Sequence, residues 1–123
     1  MTTFAQRIRP FVRYELNAAR FHESRGEFSS AFRRLERAHI LGQTSTREHV
    51  RVHIAMLAWA VRQRLAGEAM GQLYRIVGAA LKTAWGAIPN GNTGGSDVSP
   101  LKSMPIPSDL QRLLDAASAD VAI

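Results

Sequence analysis

Glu27-FSSAFRRLERAHILGQTSTREHVRV-His53 is the stretch that decides the fold. Phe28, Ala31, Phe32, Leu35 and Ala38 recur at three- and four-residue intervals, the period of an amphipathic helix. Gly42 ends the pattern in a position that favours a left-handed cap. Thr44, Ser45 and Thr46 then offer N-caps for a second helix, with Glu48 three residues after Ser45 as a capping box. The stretch reads as a tight helix–turn–helix, and it carries three imidazoles. Glu36 lies three residues before His39, and His49 lies four before His53, so each pair occupies neighbouring turns. A short hinge can aim His39, His49 and His53 at one point with Glu36 beside them. That is a donor set for a first-row divalent metal.

The helical period extends both ways. Upstream, residues 3–25 place Phe4, Ile8, Phe11 or Val12, Leu16 and Ala19 on one stripe, and Gly26 breaks it. Pro10 either kinks this helix or marks its start, because proline removes a backbone hydrogen bond. Downstream, Val50, Ile54, Leu57, Val61 and Leu65 predict the inner stripe of a helix that runs to about residue 64. A fourth helix over 68–84 is expected to bury Met70, Leu73, Val77, Ala80 and Leu81. Gly71 and Gly78 within it cost stability, which suggests close packing against another helix.

Residues 85–107 then hold four of the nine glycines and four of the five prolines. Val98, Leu101, Met104 and Ile106 within them predict an ordered loop packed on the helices. Ser108 is expected to cap a last helix, and residues 118–123 are expected to fray. The expectation is one all-α domain over 1–123, an antiparallel array of four to five helices with a long ordered loop before the last.

Composition narrows the chemistry. The chain of 123 residues has no cysteine, which excludes disulfides, thiolate metal sites and cysteine nucleophiles. Any transition metal must be held by histidine and carboxylate. The N-terminus lacks the apolar segment of a signal peptide and no apolar run reaches the length of a membrane span, so a cytoplasmic location is expected. The net charge of +6 is uneven: residues 1–66 carry twelve Arg against five Glu. No recognition motif accompanies the basic residues, and their helical spacing reads as solvated helix faces rather than a nucleic-acid surface.

Two resemblances add to this. Gly26, Phe28, Ala31, Leu35 and Ala38 stand where the second half of a tetratricopeptide repeat places its glycine, aromatic and small packing residues, over residues 26–41. The proline that usually follows is replaced by Gly42-Gln43, and no second copy occurs at a 34-residue period. The resemblance implies a helical hairpin. Over most of its length the chain resembles an uncharacterised bacterial family, domain of unknown function 3703. The likeness is carried by Ala38-His-Ile-Leu-Gly-Gln43, His49, His53 with Met56-Leu57, the loop Pro89–Gly95, and Met104-Pro-Ile-Pro-Ser-Asp-Leu110. That family lends no activity.

No catalytic residue emerges. H-E-x-x-H, its inverse and G-x-S-x-G are all missing, and a di-metal carboxylate site would need a second E-x-x-H unit. Asn90–Gly95 could cradle an anion on glycine-freed amides, but an Asn-Gly turn closing one end of the array is the plainer reading. The sequence thus points first to a small non-enzymatic protein that binds one divalent ion (zinc, nickel or cobalt) through His39, His49, His53 and Glu36. A helical adaptor for a protein partner, with structural histidines, is the second reading. A metal-dependent enzyme whose glycine-rich loop covers an open metal site is the third. The chain also leaves room for a homodimer seam.

Overall fold

The computed structural model of the protein describes residues 2–84, 94 and 103–119. They form five helices in chain order: α1 (Phe4–Ser24), α2 (Phe28–Gly42), α3 (Thr46–Arg62), α4 (Ala66–Ala84) and α5 (Ser108–Ser118). No strand occurs among the described residues, so the fold is all-α as the periodicity requires. Three-residue connections turn α1 into α2, α2 into α3 and α3 into α4, and each of these three pairs packs together. Helix α5 packs on α1 and α2, and α1 also meets α3. Most of the loop expected over 85–107, and the tail 120–123, lie outside the described residues.

Helix α1 begins six residues before Pro10 and runs through it. Thr3 caps it in a reciprocal box with Gln6, which satisfies amide groups the first turn cannot pair internally. Of the expected α1 stripe, Ile8, Val12 and Ala19 are buried, and Phe11 turns outward. Ala31, Leu35 and Ala38 line the inner face of α2, while Phe28 is exposed. Leu110 and Ala117 bring α5 into the same core. Buried Glu15 is held between α1 and α2 by Arg34 Nη1 at 3.1 Å and Arg37 Nε at 3.0 Å.

Two helices turn a face other than the expected one. In α3 the buried residues are Glu48, His49, Val52, His53, Met56, Trp59 and Ala60, whereas Ile54 and Val61, and Leu65 in the turn that follows, are exposed. In α4, Met70, Leu73 and Val77 are exposed and Gln72 and Arg75 are buried. The physical reason is the polar group described below, which draws the polar stripe of α4 inward.

The α2–α3 turn also differs from its expected chemistry. Gly42 is the last residue of α2, and the following Gln43 keeps right-handed backbone angles. A Cβ on Gly42 would sit 3.1 Å from Glu48 Cβ, so glycine is needed for close approach of the helices and not for a left-handed cap. Glu48 makes no capping box with Ser45. Its buried carboxylate faces Arg9 and Arg51 instead, each at 3.3 Å.

Candidate functional site

The tight α2–α3 turn brings the last turn of α2 against the first two turns of α3. His39 comes from the former, and His49 and His53 from successive turns of the latter. All three are buried. Their rings do not stack; their Nε2 atoms converge. His39 Nε2 lies 3.0 Å from His49 Nε2 and 3.1 Å from His53 Nε2, and the latter two are 3.1 Å apart.

Hydrogen bonding cannot satisfy this triangle. An imidazole Nε2 presents either one N–H or one lone pair in the ring plane, whatever the protonation of the ring. Three nitrogens share two possibilities, so at least two of them are alike. One of the three contacts must therefore set lone pair against lone pair, or N–H against N–H.

The state of His53 can be assigned from its neighbour. The Gln72 amide nitrogen donates to Glu68 Oε1 at 2.8 Å and to the Gly94 carbonyl at 2.9 Å. Its Oε1 is thereby turned towards His53 Nδ1, at 2.6 Å. An amide oxygen only accepts, so Nδ1 carries the hydrogen and His53 presents a lone pair at Nε2. Gln72 is wholly buried. A partner of this kind fixes the tautomer and orientation of the ring, as outer-sphere groups do for metal-bound histidines.

Burial pushes the His53 imidazole down to about 4, against the raising effect of the Gln72 hydrogen bond and with the Arg75 charge acting in the same sense as burial. His53 is therefore neutral at physiological pH. In unfolded chains it takes a proton as pH falls below about 6.5, while the folded protein stays neutral there until about 4, so acid favours unfolding across that window. The metal-free protein is expected to lose about 3 kcal/mol of stability between these limits. Urea midpoints at pH 7 and 4.5 measure it; a midpoint that does not fall would place His53 in water.

Gly94 borders the cluster from the other side. Its φ is +80°, and a Cβ there would meet His39 Cδ2 at 2.5 Å and Cγ at 2.6 Å. Of the Asn90–Gly95 loop this residue alone is described, and it is buried. The remaining loop residues lie outside the described residues.

The three histidines named from the sequence are thus one group, with ligand atoms within 4.8 Å of one another, of a kind that could hold a metal ion. Glu36, half-buried one turn before His39, stands outside that group. The sequence reading missed Gln72 and Gly94. Glu68, Gln72 and Arg75 fall at i, i+4 and i+7, which is the periodic signal that could have found Gln72. Gly94 carried none beyond the composition of its loop.

No described helix is long and apolar enough to cross a membrane. No curated protein and no solved structure matches the chain. One family does match, over residues 6–114, a span that holds all five helices in whole or part and every residue of the histidine cluster. The chain belongs to that family, which is described only as a protein of unknown function, DUF3703.

Proposed function

We propose that this protein is a small non-enzymatic metal-binding protein that holds one divalent ion on the Nε2 atoms of His39, His49 and His53. The observation that carries the reading is the nitrogen triangle, which no arrangement of protons satisfies and which one cation accepting three lone pairs does. Its size suits such an ion. With sides of 3.0–3.1 Å, the three nitrogens are close enough together for one ion to reach all of them at the ~2.0–2.1 Å zinc–imidazole distance. Three imidazole donors would leave at least one position on such an ion for a further ligand.

Imidazole donors suit zinc, nickel and cobalt. The protein would sense, buffer or hand on the ion. Gln72 supports this reading over that of structural histidines, because it holds a ligand's tautomer while Glu68 and Gly94 hold Gln72 in turn. Calorimetric titration of metal-free protein tests it. Zinc, nickel or cobalt is expected to saturate at one ion per chain; absence of saturation with all three would sink the reading.

A further inference from the structure

Helix α4 is oriented by its polar residues, and its apolar ones are left outside. Glu68, Gln72 and Arg75 run along the side that serves the histidine cluster. Met70, Leu73, Tyr74 and Val77, at i, i+3, i+4 and i+7, form a stripe on another side, with exposures of 66, 48, 70 and 62%. Among the described helices α4 packs on α3 alone. A helix with apolar residues at the spacing of a packing face but no neighbour on that face is half of a contact.

We propose that this face is the seam of a homodimer, with α4 of one copy packed on α4 of a second about a twofold axis. Ile54 and Val61 of α3 are exposed as well, and in an antiparallel α3–α4 pair their helical angles place them on the same side as Leu73. Together the two groups make a patch of six exposed apolar side chains, the kind of surface that a standard interface of ~800 Å² per partner covers.

Charge selects the occupant. From Met70 to Val77 the one charged residue is Arg75, and it is buried. An anionic partner would find no exposed cation to pair with over that stretch and would be drawn to the arginines of α1–α3. A second copy of a chain with net charge +6 is repelled by those same arginines. The uncharged α4 face is where two copies can meet without burying like charges.

Sedimentation equilibrium of the full chain, run across roughly 1–100 µM, tests the proposal. Wild type is expected at twice the 13.6 kDa chain mass, and a Leu73→Glu/Tyr74→Glu variant at the chain mass with unchanged helical circular dichroism. Phe21→Glu, at an exposed site on α1, is expected to remain dimeric. Because the chain has no cysteine, a spin label on Tyr74→Cys reports the seam independently should the double variant fail to fold. A short interlabel distance is expected, within about 30 Å, the length of a 20-residue helix. A monomeric wild type, whether this face is covered by its own chain or by another molecule, overturns the proposal. So does a dimer whose Tyr74 labels lie far apart.

Discussion

His53→Ala is expected to eliminate the stabilisation that the proposed metal site would give the protein. With free ion at about 1,000 times its dissociation constant, a single site adds about 4 kcal/mol to the native state. For a chain of this length that is a rise of roughly 15 °C in melting temperature. Removing His53 takes away one of the three proposed ligands together with the ring whose lone pair is best defined, since Gln72 holds its Nδ1 hydrogen. The remaining pair should bind weaker by about 10³-fold, more than the 10–100-fold typical of losing an outer-sphere partner. The shift then disappears within error.

Gln72→Leu supplies the graded comparison. It keeps all three ligands but releases the His53 tautomer, so an intermediate shift is expected, with affinity down about 10–100-fold. Thermal melts followed by circular dichroism, with and without zinc, read all three proteins. An undiminished zinc shift in His53→Ala would place the ion elsewhere.

Gly94→Ala has the second-largest expected effect, and it acts from the loop side. The added methyl would occupy space held by the His39 ring, whose Cδ2, Cγ and Nε2 lie 2.5, 2.6 and 2.9 Å from the ideal Cβ. The φ of +80° adds the left-handed penalty of about 1–2 kcal/mol for a residue with a side chain. Either the ring moves and Nε2 leaves the point of convergence, or the loop moves and Gln72 loses its hydrogen bond to the Gly94 carbonyl. Both routes disturb the site, so zinc affinity is expected to fall about 10–100-fold.

Gly26→Ala separates this from backbone strain alone. Gly26 has a φ of +75° with nothing within 4 Å of its Cβ position, so it should lose about 1 kcal/mol of stability and no affinity. Competition titration against a zinc indicator compares the two variants. Equal affinities would detach the loop from the cluster.

The helices were legible in the sequence because their period and punctuation agree: Gly26 ends α1, and a three-residue turn with Ser45 at its N-cap opens α3. The histidine cluster was legible because His49 and His53 are four apart on one helix, and His39 lies just before a tight turn. What failed was the choice of face. In α4 the largest apolar residues formed a complete stripe, and hydrophobicity argued for turning it inward. A buried polar group without a partner costs more than an exposed methionine or valine forfeits. Gln72 therefore goes to His53, and Met70 and Val77 go out. The same competition rotates α3, where His49 and His53 take positions beside Val52 and Met56 while Ile54 and Val61 are displaced to the surface. Periodicity finds the stripes of a helix; it does not rank a polar stripe with an internal partner above an apolar one.

The most direct measurement is elemental analysis of untagged protein purified without chelator, beside a His49→Ala/His53→Ala double variant. Near-stoichiometric zinc, nickel or cobalt in the wild type and none in the double variant is the expected result. No metal in either protein, even after each of the three ions is supplied, would contradict a metal centre and return the histidines to a structural role.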